Sequence, residues 1–476
     1  MQYFWLTIGI IGFATFICLR PRYQLFLALF VMTACFNLVP AITHGIDIWD
    51  VGAVMLMLSA VRLVCAKPRS APIRARYLTV LKVFTGWALL SLLWALLICR
   101  YPLLDTLKAS RQLIIGYMSI FVFLRLWRID PGAFEFIWKA VYWVTFGFLV
   151  VCVVEYLSGK EILFVLTRNY EGAARRLPFF LPFCLMYLWV ITARLLGGLS
   201  VKYHEVVYLL ITLFAISTTY TRGIYFAVLI GLLSLIIILL KHNKIKIRSL
   251  VVFSAISISI ITMLVALGAL DKVFSRTMSG VYILLSTSGG HAALQHKTDD
   301  TFSGRLALAR ERFELVVQHN PLFGYSFIHE ANLPATLKNK LQTMHGSFIY
   351  TPEYQRMYAL GHPYVKALYS ADIGWANMVL NTGVIGVLLF IAFVVSIAVN
   401  FFDKKTLVKG DRYFVRLGLF LQVIVLVILM FNGTPYTGYV QIPAFMIAGY
   451  AFCTNLTNLY PSLSKITGKN GYRETT

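Results

Sequence analysis

Acidic residues are scarce in this chain, and charge of either sign is sparse: 20 Asp and Glu stand against 43 Lys and Arg, and charged residues make up only 13% of the 476. Soluble globular domains carry about 25%, so a water-soluble fold is excluded. The net charge of +23 does not point to nucleic acid, because no module interleaving basic and aromatic residues is present. Seven cysteines (Cys18, Cys35, Cys65, Cys99, Cys152, Cys184, Cys453) all fall in or beside apolar runs, which gives neither a disulfide framework nor a CxxC metal site. HxxxH and HExxH patterns are missing too, although His291, His296, His319, His329, His345 and His362 crowd one region. Met1-Gln2-Tyr3-Phe4-Trp5 has no basic stretch ahead of its apolar run and no small-residue cleavage site, so the first run is expected to be a retained span. Heptads, repeats of about 20 to 50 residues and low-complexity linkers are also wanting.

What the chain does have is long apolar runs: 59% of its residues are hydrophobic. Windows of about 19 residues place spans at Tyr3 to Leu19, Tyr23 to Ile42, Ile48 to Ala66, Val80 to Cys99, Gln112 to Trp127 and Phe136 to Tyr156. Further spans follow at Pro178 to Leu196, Glu205 to Thr218, Gly223 to Leu240, Leu250 to Leu270, Ile373 to Phe402, Tyr413 to Phe431 and Val440 to Leu456. The expectation is an all-α polytopic membrane protein of about 12 to 14 transmembrane helices. Basic clusters at Arg20 and Arg22, Lys67 to Arg76, Arg125 and Arg128, Arg194 and Lys202, Lys241 to Arg248, and Lys404 to Arg412 occupy alternate loops. By the positive-inside rule those loops are cytoplasmic. Residues 1–269 then form the first set of spans, 270–371 one large extracytoplasmic loop, 372–458 the last spans and 459–476 a cytoplasmic tail.

The large loop is the only long polar interruption, and chemistry is expected there. Ser303 can cap a helix running to about His319 that Asn320-Pro321 ends. Leu306, Phe313 and Val317 share one of its faces, which reads as a short amphipathic helix on the membrane surface. Arg305 sits in the first turn of that helix, where a cation opposes the macrodipole by roughly 0.3–1 kcal/mol. Either an anion such as a lipid phosphate or pyrophosphate holds it there, or it is a solvated or headgroup-bound arginine. Arg222, at the outer end of a span in Thr219-Tyr220-Thr221-Arg222-Gly223, either faces a partner or snorkels to the interface. Arg176 and Arg276 enter the same face, each either a further pyrophosphate-binding arginine or an interfacial anchor. Asp372, at the mouth of the span to Phe402, could accept a proton from an attacking hydroxyl or simply suit the start of a helix. His362 is the reserve base.

Taken in order, Thr221-Arg222-Gly223, Ser303-Gly304-Arg305, Asn320-Pro321-Leu322-Phe323-Gly324, Asp372-Ile373-Gly374 and Gly383-Val384-Ile385-Gly386 resemble the O-antigen ligase and polymerase superfamily. The resemblance covers roughly Ser217 to Phe390. It implies a GT-C-like enzyme that works outside the inner membrane, without metal or cofactor, on undecaprenyl-pyrophosphate-linked glycans. It also implies Arg222 and Arg305 as pyrophosphate-binding arginines, the lipid bilayer and a chain-length regulator protein as partners, and no nucleic acid. In the ligase branch a His-Asn pair stands about eleven residues before the first glycine of the final Gly-x-x-Gly; here that position is Asp372. This departure points to the polymerase branch, ahead of a ligase, with a flippase or secondary transporter as the reading from another class.

Overall fold

The computed structural model describes residues 12, 14–33, 48–70, 72–73, 75–160, 168–170, 173–175, 180–217, 222–242, 251, 312–328, 374–403, 411–430 and 441–459. Its helices are α1 (Pro21–Thr33), α2 (Ile48–Cys65), α3 (Arg76–Leu97), α4 (Leu103–Ile129), α5 (Gly132–Ser158), α6 (Leu181–Leu196), α7 (Tyr203–Ser217) and α8 (Arg222–Lys241). There follow a short helix α9 over 312–319, then α10 (Gly374–Phe402), α11 (Asp411–Leu429) and α12 (Gln441–Leu459). Among the described residues the strands are one pair of three-residue antiparallel strands, β1 (Arg168–Tyr170) and β2 (Ala173–Arg175). Among the described residues, six helices are long and apolar enough to cross a membrane: α3, α4, α5, α8, α10 and α11. The shorter α6, α7 and α12 are apolar as well.

Helices are what an apolar chain must form in lipid, where no water satisfies the backbone. They end where the sequence supplies a reason. Gly159 closes α5 in the left-handed conformation, φ 66°, and Pro182 starts α6 where a missing N–H costs nothing. The α6 helix is apolar on all sides and buried along nearly its whole length, the central post of the bundle. It packs on α7, α8 and α11, while α3 packs on α10 and α12 on α4 and α11. One predicted span meets a much longer helix than the hydropathy window suggested. The window began at Gln112, but α4 starts nine residues earlier and carries Asp105, Lys108 and Arg111 in its first turns. Arg111 is placed there by an ion pair to Asp50 of α2. The predicted span from Leu250 to Leu270 lies almost wholly outside the described residues, as does most of that from Tyr3 to Leu19.

The basic clusters have structural work at one end of the bundle. Arg125 donates from Nε and Nη2 to the carbonyls of Leu63 (3.2 Å) and Ala66 (2.8 Å), capping the last turn of α2. Arg128 reaches the Ser70 carbonyl, and Arg194 pairs with Glu205 to close the α6–α7 turn. Arg416, 1% exposed, donates to the Asn400 carbonyl at the end of α10 (2.9 Å) and to the Tyr450 hydroxyl (3.2 Å). Lys241 lies over the Phe402 ring and His242 against Tyr413, so α8, α10 and α11 meet at this basic end. Their other ends, Arg222, Gly374 and Met430, therefore share the opposite one.

Candidate functional site

The opposite end is where the sequence motifs assemble, and the described geometry centres on a break in α10. Gly383 has φ 67° and ψ −172°, a conformation essentially restricted to glycine. In an unbroken helix the Val384 N–H would donate to the Leu380 carbonyl. Here the two are parted, and the segment 321–325 takes both: Val384 N–H donates to the Pro321 carbonyl (2.9 Å), and Tyr325 N–H to the Leu380 carbonyl (3.0 Å). The Thr382 carbonyl, also released by the break, accepts the indole N–H of Trp87 on α3 (2.8 Å). Three groups that would each cost several kcal/mol if left bare in an apolar layer are thus satisfied.

The inserted segment is built for this contact. Asn320 ends α9, its N–H bonded to the Val316 carbonyl, and its side-chain Oδ1 accepts from the N–H groups of Leu322 (3.1 Å) and Phe323 (3.3 Å). Gly324 follows with φ 64°, and a Cβ there would come within 2.5 Å of the Leu380 carbonyl. A Cβ on Gly383 would meet the backbone of Leu322 still closer. Two backbones therefore touch directly, which only a glycine on each side permits. Phe323 is clamped between two indoles of α3, Trp87 (ring centroids 4.8 Å, interplanar 4°) and Trp94 (4.7 Å, 14°). Those two tryptophans are seven residues apart and so share one helix face. Leu315, Val316, Tyr325 and Ile328 then pack with Val379 and Leu380, and Tyr101 from the α3–α4 connection joins them. Burial pushes the Tyr101 hydroxyl well above its ordinary range, so it is a neutral hydrogen-bonding group there.

Arg222 is the first residue of α8, as expected of a residue opening a span, and no acid lies in that first turn. The Tyr225 hydroxyl on α8 donates to the Ser217 carbonyl at the end of α7 (2.6 Å), which ties the two helix ends together. Tyr156 at the end of α5 meets Phe214 of α7, and its neighbour Glu155 is fully buried. Met430, at the end of α11, accepts the N–H of Gly374 (2.8 Å), which fixes the start of α10 two residues after Asp372 in the chain. The structure thus brings the helix start at Arg222, the entry to α10 and the Asn320–Gly324 turn to one end of the bundle. Arg176, Arg276, Arg305, His362 and Asp372 lie outside the described residues, as does the Arg222 side chain. The strand register sets Arg168 opposite Arg175, beside Arg176 in sequence.

Phe313 and Val317, expected on one apolar face, are 48% and 46% exposed, and α9 packs on the bundle through Leu315 and Val316. Gly383 breaks the helix, and the atoms nearest a Cβ on Gly386 would be those of Thr382 on its own helix. Sequence reasoning missed Trp87 and Trp94 and saw Phe323 only as part of a motif; the one signal of the tryptophans was their seven-residue spacing in an apolar span. Buried Asn377 and Asn381 of α10 lie one turn apart inside its entry.

A bundle of apolar helices, one of them broken and refilled by a loop motif, defines a polytopic membrane protein. Residues 207–391 match the family model described as O-Antigen ligase. The match begins in α7 and ends in α10 just past the break, so it contains Arg222, the Asn320–Gly324 turn and Gly383 together. It does not separate the polymerase and ligase branches of that superfamily. No curated protein matches the chain.

Proposed function

We propose that the protein is a glycosyltransferase of the extracytoplasmic face of the bacterial inner membrane, a polymerase that joins undecaprenyl-pyrophosphate-linked repeat units. The match over 207–391 carries this reading, and the meeting of its motifs at one end of the bundle supports it. In the step envisaged, a sugar hydroxyl of one lipid-linked repeat attacks C1 of the sugar at the pyrophosphate end of another. The new C–O bond forms as the bond from C1 to the pyrophosphate oxygen breaks, the hydroxyl proton passes to Asp372 or His362, and undecaprenyl pyrophosphate leaves. Arg222 and Arg305, with Arg176 and Arg276 near the same face, would stabilise charge on the leaving group as preorganised donors.

Asp372, at the place where the ligase branch carries histidine, favours polymerase over ligase. The test is to incubate the purified protein in lipid with a lipid-linked repeat unit, with no other acceptor. A ladder of products is expected. No ladder, together with transfer of a preformed lipid-linked glycan to an added lipid or protein acceptor, would establish the ligase reading in its place.

A further inference from the structure

The sequence suggests that the segment around α9 lies on the membrane surface, but its contacts place it deeper. Gly383 is the tenth residue of α10, and Trp87 stands ten residues before the end of α3. At about 1.5 Å of rise per residue, both lie about 13–15 Å below the outer ends of their helices. The Leu322–Gly324 backbone rests against Gly383, and the Phe323 ring lies between Trp87 and Trp94. The turn therefore sits at the level of the outer half of α3, whose Leu89, Leu90, Leu93 and Leu97 are exposed.

Backbone that is not helical survives at such depth only when its polar groups are answered by protein. Those of this turn are answered by Asn320, Val384 and Leu380. Meanwhile three large side chains on the side turned away from the bundle are apolar: Phe313, Val317 and Leu322 are 48%, 46% and 50% exposed, with Gln318 and His319 also exposed just before the turn and the His319 ring stacked on Tyr325. Apolar side chains of that size suit acyl chains better than water.

We infer that residues 312–328 form a re-entrant element, entering the bilayer from the outer side between α3 and α10 and turning at Pro321–Gly324, with Phe313, Val317 and Leu322 against the acyl chains of the outer leaflet. The occupant is lipid rather than a second copy because the turn is held at the same depth as the exposed leucines of α3, which form part of the bundle's own lipid-facing surface. This inference stands apart from the proposed enzymatic activity.

The test places single spin labels at Val317 and Leu322 of the full-length protein in liposomes, with its own cysteines replaced and the thermal midpoint checked. Leu93 supplies a lipid-facing reference and Lys160, exposed beyond the end of α5, an aqueous one. Oxygen is expected to relax the labels at Val317 and Leu322 more than a water-soluble nickel chelate does, by the factor seen at Leu93. Labels that behave like Lys160 would overturn the inference, and so would labels shielded from both reagents, which would mean protein covers this face. A second measurement leaves the cysteines in place: benzoylphenylalanine at Val317, irradiated in the membrane, is expected to give phospholipid adducts. Adducts to a second copy of the chain, or no lipid adduct, would count against it.

Discussion

A cation on the first residue of a helix stands where the exposed N–H groups already make the potential positive, at a cost of about 0.3–1 kcal/mol. Arg222 holds that place in α8, with no acid in the same turn to offset it. An anion beyond the helix end would reverse the sign, since arginine and the helix terminus would then act on it together. On the proposed activity, Arg222→Ala and Arg305→Ala are each expected to lose at least about a hundredfold in polymer yield, the scale of a deleted charge-stabilising donor. Quantitative immunoblotting of membranes should show normal protein. Asp372→Asn keeps size and hydrogen bonding but not basicity, so polymer formation should fall similarly; near-normal ladders from that variant would move the base to His362. At this scale the sequence named the charged residues through their motifs. It did not name Trp87 or Trp94 or pair them with Phe323, because a ring sandwich between positions more than two hundred residues apart leaves no mark in either local pattern.

Among the elements, α10 shows most clearly what periodicity can and cannot reveal. Its apolar run marked one continuous span, and Gly383 was visible in it. The period of a helix is silent about a single residue whose φ changes sign, so the break was not legible, nor was the use of the Asn320–Gly324 turn to refill it. The reverse held for α9: the end at Asn320-Pro321 followed from backbone chemistry, while the choice of which apolar side packs inward depended on partners elsewhere in the chain. Gly383→Ala must either straighten α10 into the Leu322 backbone or hold alanine in a glycine-only conformation. A loss of about 1–3 kcal/mol from the strain alone is expected, read as a lowered midpoint in detergent. Phe323→Ala empties a slot between two indoles, and because the ring is only partly buried the loss is expected to fall below the roughly 3–5 kcal/mol of a fully buried aromatic. Phe323→Tyr should retain most of the stacking. If Phe323→Ala leaves the midpoint unchanged, the clamp does not hold the segment.

For the molecule as a whole, composition settled the class, and hydropathy located most of the described helices to within a few residues. The exceptions follow from physics the window does not contain, as with the first turns of α4, where Arg111 and Asp50 satisfy each other. The alternation of basic clusters gains a second rationale in the structure, since Arg125, Arg128 and Arg416 also cap carbonyls at that end. The topology is testable directly. A reporter active only in the cytoplasm should work when fused after Lys67 or Lys241, and one active only outside should work when fused after Arg100 or Gly159. A reversed pattern at any of these four sites would refute the orientation.

The exchange of backbone hydrogen bonds at Gly383 also bears on chain entropy. Once residues 321–325 are fastened to α10, the chain from 329 to 373 leaves from one point on that helix and returns to its start. The polar insertion is thus divided into two closures with a common footing instead of one long excursion. The entropy of closing a loop grows only with the logarithm of its length, about 0.6 kcal/mol per doubling. Lengthening the stretch beyond 329 should therefore cost little and leave the stretch before 312 undisturbed, whereas releasing the clip would merge the two and set both adrift together.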